Sequence, residues 1–501
     1  MAKALKNRAS KQSYVSPTQI VLSGFESPFS QQLNPENRWV VLANKIPWDT
    51  LVSVYQNQLN NSETGADGIN PRVAIGSIII KHMCDLSDRE TVLQIQENMY
   101  MQYFIGYSGF SNEIPFDPSL FVDFRKRLGI EQINLINEKI LGLREEEKQQ
   151  EKNISQENKE IPDIEEGKEI TNIAIANQGR CIVDATACPQ DISYPTDLNL
   201  LNDAREKSEY LIDLLYPLSE LPAKPRTYRK KARKIYLKTA QKKSKTKKEI
   251  RKALKKQLGY LRRNISTVDK LLDTLPAIPL NKHDYKYLLV IQTLYDQQKY
   301  LYDNNIHSVE HRIVSIHQPH VRPIVRGKAN AKVEFGAKIN LSLMNGYAFL
   351  DDLSWDAFNE GTRLMSTIEK YKQRFGFYPK EVLADKIYCN RENRKKLKEL
   401  NIELRAKPLG RPKAVSENHV SPGERNPIEG KFGQAKTAYG LNRIKARLKQ
   451  TSESWIASII LVLNLVKLTR TVLYCLIRNI ILFCYSRIPW DKRAEYKIKY
   501  A

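Results

Sequence analysis

The chain has 501 residues, enough for a sizeable core and about two to four domains. Its 80 Lys+Arg against 56 Asp+Glu give a net charge of +24, which points to a polyanionic partner, nucleic acid before a membrane surface. Six cysteines without a CxxC pair or a ladder of pairs suggest neither a disulfide framework nor a zinc site and fit a reducing cytosol.

The N-terminus, Met1-Ala-Lys-Ala-Leu-Lys-Asn-Arg8, lacks the apolar stretch of a signal peptide, and residues 1–35 are polar enough to be poorly ordered. From Arg38 to about Leu143 the pattern is helical. Asn70-Pro71 is a cap followed by proline, opening a helix over Val73–Met83. Ser87-Asp-Arg-Glu90 has the form of a capping box ahead of a helix over Val92–Phe104. Asp117-Pro118 opens a short helix, Ser119 to Leu128, ending in Arg125-Lys-Arg127. Such a domain suits a helix-turn-helix-like DNA reader and a plain packing domain equally. Residues 144–169 hold ten acids and five bases with almost no large apolar residue, which predicts a charged linker over about 144–170.

Cys181-Ile-Val-Asp-Ala-Thr186 reads as a buried strand carrying one acid. A lone buried carboxylate is expensive, so Asp184 needs a partner, a metal or an exposed strand end. A helical insertion follows over roughly 197–307. Within it, Lys224 to Arg263 carries 19 Lys+Arg and one acid, Glu249, a local excess suited to phosphate contact without sequence specificity. The other reading is a solvated, self-repelling arm. Alternation from Val333 to Leu343 and the hairpin signal Asn345-Gly346 then predict two antiparallel strands. A helix over about Asp356–Arg374, a second apolar run ending in Asp385, a helix over Arg391–Leu400 and a strand over Ile402–Arg405 complete a mixed sheet flanked by helices. The apolar stretch Ile456–Tyr485 is interrupted by Lys467, Arg470 and Arg478, so it reads as a buried helix and no membrane partner is expected.

Two such aspartates at one sheet edge, with a third acid, would make a site for a hard cation. Glu429 is the candidate. Asn426-Pro-Ile-Glu429 also has the form of an N-cap, a proline and a capping-box glutamate, which alone would account for it. Glu429, Lys436 and Arg443 are seven apart, so one continuous helix would put them on one face, with Arg425 a turn earlier. Lys445, Arg447 and Lys449 extend the positive surface. The alternative for these cations is an ordinary solvated helix face. Four histidines (His307, His311, His317, His320) match no metal-ligand spacing.

These blocks resemble bacterial insertion-sequence transposases of the DDE type. Ile-Val-Asp184-Ala-Thr with Tyr194-Pro-Thr-Asp197 is similar to the family's first-aspartate block, Arg326-Gly-Lys328 with Glu334-Phe-Gly-Ala-Lys338 to its central strand block, and Ala384-Asp385-Lys-Ile-Tyr388 to the second-aspartate block. Arg425-x3-Glu429-x6-Lys436 resembles the third block, in which a tyrosine precedes the arginine by three; Pro422 stands there instead. Residues 38–130 resemble the helical N-terminal domain of InsH-type transposases through Pro71-Arg, Leu86-Ser-Asp-Arg89 and Phe124-Arg-Lys-Arg127.

The resemblance implies an RNase H-like α/β catalytic domain over 171–450, an all-α N-terminal domain over 36–143 and a helical C-terminal segment over 451–501. It implies Asp184, Asp385 and Glu429 as catalytic metal ligands for two Mg²⁺ or Mn²⁺ ions. Expected DNA contacts are Arg425, Lys436, Arg443, Lys445, Arg326, Lys328 and Tyr388, the last either stacking on DNA or packing in the core. The implied reaction is cleavage at the ends of a mobile element and strand transfer into target DNA, by a cytoplasmic, nucleoid-associated protein that oligomerises on double-stranded DNA. A nuclease that cuts without joining and a non-enzymatic DNA-binding protein are the alternatives.

Overall fold

The computed structural model describes residues 33–58, 68–141, 176–219, 221–325, 333–406 and 422–486. The expected polar N-terminus through residue 32, the whole charged linker, Arg326 and Lys328 fall outside them.

Among the described residues, seven α-helices come first: α1 (Arg38–Lys45), α2 (Trp48–Gln56), α3 (Pro71–Met83), α4 (Asp88–Glu97), α5 (Met99–Phe104), α6 (Phe121–Arg127) and α7 (Ile130–Ile140). Their starts follow the sequence closely. Asn70 accepts the Arg72 N–H ahead of Pro71, and Ser87 accepts the Glu90 N–H. The helix expected over Val92–Phe104 is instead two, broken at Asn98, whose extended backbone lets its side chain accept from Tyr100 and Met101. A local cap outcompetes an apolar period that runs straight through it.

One mixed sheet holds β1 (Arg180–Pro189), β2 (Arg322–Val325), β3 (Val333–Met344), β4 (Tyr347–Ser354), β5 (Glu381–Leu383) and β6 (Glu403–Arg405). Its main path is β2-β3-β1-β5-β6. Strand β3 pairs antiparallel with β1, while β1, β5 and β6 run parallel. On its other edge β3 holds β2 along Val333–Gly336 and β4 along Lys338–Met344. Asn345 and Gly346 both take positive φ (49° and 78°), the two-residue turn that the Asn-Gly signal predicts.

Between β1 and β2 lies the insertion: α8 (Asp197–Leu215), α9 (Arg229–Ala240), α10 (Lys247–Asp273) and α11 (Lys282–Asn304). Leu201, Leu211, Leu261, Leu271 and Ile291 close a core there, separate from the cores on the sheet. Behind β4 come α12 (Leu364–Phe375), α13 (Arg391–Glu399), α14 (Pro422–Ala438) and α15 (Lys449–Ser486). The α12 helix begins later than its periodicity implies, because Glu360–Arg363 forms a separate 3-10 turn.

Helix α15 ties the molecule together. Its Ile456–Leu465 stretch packs in a single core with the N-terminal helices and one face of the sheet. Trp455 takes the Lys81 and Arg125 cations against its ring, at 4.6 and 5.3 Å, and meets His82 edge-on. Lys449–Thr469 is long and apolar enough to cross a membrane, and most of it is buried inside the protein.

Candidate active site

Asp184 is the fifth residue of the ten-residue strand β1, so it sits mid-strand and not at a strand end. Side chains alternate across a strand. Cys181 and Val183 enter the core under α12, which puts Asp184 on the opposite face with Ile182, the face that α14 covers through Ile428. The parallel register pairs Cys181 with Val382 and Ile182 with Leu383. Carried on by two residues, past the end of β5, that alignment brings Asp184 level with Asp385. Asp385 begins the 3-10 turn Lys386–Tyr388, and its Oδ1 accepts the Lys386 N–H at 2.7 Å.

Arg425 joins the pair. Its Nη2 lies 3.2 Å from Asp184 Oδ2 and its Nη1 3.2 Å from Asp385 Oδ1. Asp184 Oδ1 also accepts the Ala185 N–H at 2.8 Å. Even so, burial pushes the Asp184 carboxyl up to about 6; that hydrogen bond and Arg425 pull it down, while Glu360 and Asp385 add repulsion. A carboxylate so placed lacks the solvation its charge demands.

Helix α14 starts at Pro422, so Asn426 and Pro427 lie within it and the capping-box account of Glu429 does not hold. Ile428, Phe432 and Ala435 form its buried stripe. Arg425, Glu429 and Lys436 share a neighbouring face by helical spacing. Of these, Arg425 and Lys436 are half-buried and Glu429 is exposed. Among the described residues, no group of three or more His, Cys, Asp or Glu side chains is gathered closely enough to hold a metal ion. The structure therefore brings Asp184 and Asp385 together and leaves Glu429 outside the pair.

The helical face expected for Arg443 is lost, Tyr388 takes the core alternative, and Lys445 keeps the exposure expected of it. Arg443 is not on the helical face of Glu429, because α14 ends at Ala438 and Gly440 turns the chain at φ +72°, with the Leu441 N–H closing on the Ala435 carbonyl. Arg443 is exposed and pairs with Asp191 at 3.0 Å. Lys445 is exposed in the extended segment that lies against the end of β1. Tyr388 is fully buried, its hydroxyl donating to Asn340 Oδ1 at 3.2 Å, so it packs in the core and offers DNA no ring face.

Sequence reading missed the flanking charges. Lys338 pairs with Glu360 at 2.9 Å, and Glu360 lies near enough to Asp184 to raise its carboxyl. Lys338 stands in the central strand block, but Glu360, in an irregular stretch, carried no pattern. On the other side Arg180, Glu381, Arg405 and Glu424 form an alternating chain of ion pairs that ends one residue before Arg425. The Tyr194-Pro-Thr-Asp197 block serves the junction with the insertion. Thr196 caps α8, and Asp197 takes Arg312 at 2.5 Å. In the N-terminal domain, Arg125 is buried and pairs with Asp88 at 2.5 Å, while Arg127 donates to the Tyr55 hydroxyl. Two of the three cations of that basic cluster are engaged in packing.

Comparison with known proteins gives two family matches. The family described as "Transposase domain (DUF772)" matches residues 27–127, and "Transposase DDE domain" matches residues 382–466. The second span contains Asp385, Arg425, Glu429 and Lys436 and excludes Asp184. The chain is also similar to an uncharacterized protein, ORF8 of the nfe locus of Rhizobium meliloti, at 35% identity over 97 residues. That alignment covers 19% of this chain and 46% of the relative, so the chain spans about half the length of the curated protein it matches. No solved structure matches the chain.

Proposed function

The two family matches support an insertion-sequence transposase of the DDE type, and on that premise we propose that the chain cuts DNA at the ends of a mobile element and joins the cut strand to target DNA. The observation that carries this reading is the Asp184–Asp385 pair, one on β1 and the other just past the end of the parallel strand β5, bridged by a cation, Arg425. An RNase H-like catalytic domain is consistent with a sheet in which β1, β5 and β6 run parallel and β3 and β4 antiparallel beside them.

The donor chemistry fits a divalent metal such as Mg²⁺ or Mn²⁺: hard carboxylate oxygens, with Asp184 poorly solvated and already drawing a cation. Asp184 and Asp385 would hold such ions, with Glu429 as the third acid of the family pattern. When bound, a metal pair polarises the scissile phosphate and stabilises the attacking and leaving oxygens of an in-line displacement. The protein's own part is to hold one carboxylate on β1 and the other at the turn that follows β5, and to set cations beside them. Lys436, on the face of Arg425 and Glu429 by helical spacing, would contact phosphate. The 19 cations between Lys224 and Arg263 supply sequence-independent grip on the duplex, and most of them are exposed on α9 and α10. Because hydrolysis and transesterification use the same carboxylates, no protein nucleophile is required.

The test is strand joining with precut ends. Oligonucleotide duplexes carrying the DNA that flanks the reading frame, ending in a 3′-hydroxyl, are incubated with protein, Mn²⁺ and a target plasmid. Covalently joined product is the expected result. Cleavage of uncut duplexes without any joining would replace the transposase reading with that of a nuclease.

A further inference from the structure

Arg425 occupies the place where two aspartates call for a cation. Its guanidinium reaches both carboxylates at 3.2 Å, while its solvent-shielded Nε has no hydrogen-bond partner among the described residues. Another arginine in the same molecule shows what a fixed structural arginine looks like. Arg374 donates through Nε to Glu138 and through Nη1 to Asp351, at 3.0 and 2.5 Å, with all three side chains buried. The Arg425 clasp is looser. Its distances are longer, and the Asp385 side chain is 51% exposed. An ion pair open to solvent is individually weak, so the Asp385 arm parts readily, while the shielded Asp184 arm is the one a competing ligand must displace.

The backbone under Arg425 is also weakened. Pro427 lies two residues on, inside the helix, and supplies no N–H to the Gly423 carbonyl. The first turn of α14 is therefore less firmly tied to the rest of the helix than a normal turn. The oxygens matter as well. Ala185 N–H occupies Asp184 Oδ1 and Lys386 N–H shares Asp385 Oδ1, while the guanidinium takes Asp184 Oδ2 and Asp385 Oδ1, so it holds the same two carboxylates that would take a metal.

We propose that Arg425 is a counter-ion gate, which rests on the reading above that the two aspartates take a divalent cation. In the DNA-free protein Arg425 neutralises the pair and competes with the metal for the same oxygens. A DNA phosphate arriving beside the site draws the guanidinium away, since arginine binds phosphate bidentately. The metal then enters only where substrate is present. DNA and metal consequently strengthen each other's binding by the same factor, as linkage requires.

Mn²⁺ binding to the full chain, followed by electron paramagnetic resonance, tests this without any turnover. In the absence of DNA, Arg425→Gln is expected to bind Mn²⁺ on the order of tenfold more tightly than the parent, the scale of a typical coupling. Arg425→Lys, which keeps one charge but cannot span both carboxylates, falls between them. A short duplex tightens the parent and changes Arg425→Gln little. Parent-like Mn²⁺ affinity in both variants, with parent-like melting, overturns the gate. Should neither variant fold, the parent decides, because an affinity for Mn²⁺ unaltered by duplex also overturns it. The double variant Asp184→Asn/Asp385→Asn separates the two levels. Loss of Mn²⁺ binding there retains the metal reading whatever happens at Arg425; unchanged binding removes both.

Discussion

Asp184 stands where its charge is penalised, and the groups around it divide into those that relieve the penalty and those that add to it. The Ala185 N–H and Arg425 relieve it; Glu360 and Asp385 add to it. Sites that must accept a cation commonly carry such a cost, because a fully satisfied carboxylate has nothing to gain from a ligand. His320 offers a cleaner titration away from the site. It packs edge-on against Trp355, with ring centres 4.4 Å apart, and burial together with Lys286, Lys449 and Arg322 pushes it down to about 4. With an ordinary value near 6.5, the folded state resists the proton that the unfolded chain accepts. Its contribution to stability is therefore complete above pH 6.5 and falls away as the pH drops towards 4. His320→Phe keeps the ring and removes the proton. Urea unfolding should show the parent losing about 2 kcal/mol more than this variant between pH 8 and pH 5. Parallel losses in the two proteins would mean that His320 titrates normally in the fold.

Among the elements, α15 has the widest reach, and one residue shows how it binds. Asn464 is buried on α15; its Oδ1 accepts the Ala348 N–H at 2.8 Å, and its Nδ2 donates to the Ala348 carbonyl and to Asn137 Oδ1. A helix, an N-terminal helix and a β-strand thus meet at one amide. Asn464→Leu would leave a buried strand N–H without its partner, a loss of about 1–3 kcal/mol in chemical or thermal unfolding. A change below about 0.5 kcal/mol would show that the amide is not what joins these elements.

Much of this level was legible in the sequence. Asn70, Ser87 and Asn345-Gly346 mark boundaries where they are expected, because caps and tight turns are set by a few neighbouring residues. The misses came where tertiary contacts or a competing local signal decided. Asn98 broke an apolar period with its own cap, and α14 began at Pro422, whose signal lay four residues ahead of the better-looking Asn426-Pro427. Tyr388 looked as suited to DNA as to the core, and only the neighbouring Asn340 settles its place. Arg443 left the helical face because Gly440, not the spacing of charges, determines where the helix stops.

For the whole molecule, the separation of cores matters most. The insertion carries its own core and most of the excess positive charge, while the N-terminal helices, the sheet and α15 share another. Such a division suits a rigid catalytic body with a basic arm beside it. The aspartate pair could be anticipated because two apolar runs each carry one acid, and parallel pairing brings them level. Arg425 between them could not, since a contact across 241 residues has no local trace. The most direct measurement of the account is cleavage of a plasmid carrying the reading frame and its flanking DNA, with Mn²⁺, by the parent and by Asp184→Asn, Asp385→Asn and Glu429→Gln. The parent should release 3′-hydroxyl ends at the element boundary, and the two aspartate variants should lose on the order of a hundredfold or more in rate while still binding the duplex. Glu429→Gln should fall with them if the third acid joins the pair on the substrate. Parent-like cutting by Asp184→Asn or Asp385→Asn would contradict the assignment of this pair as the catalytic centre.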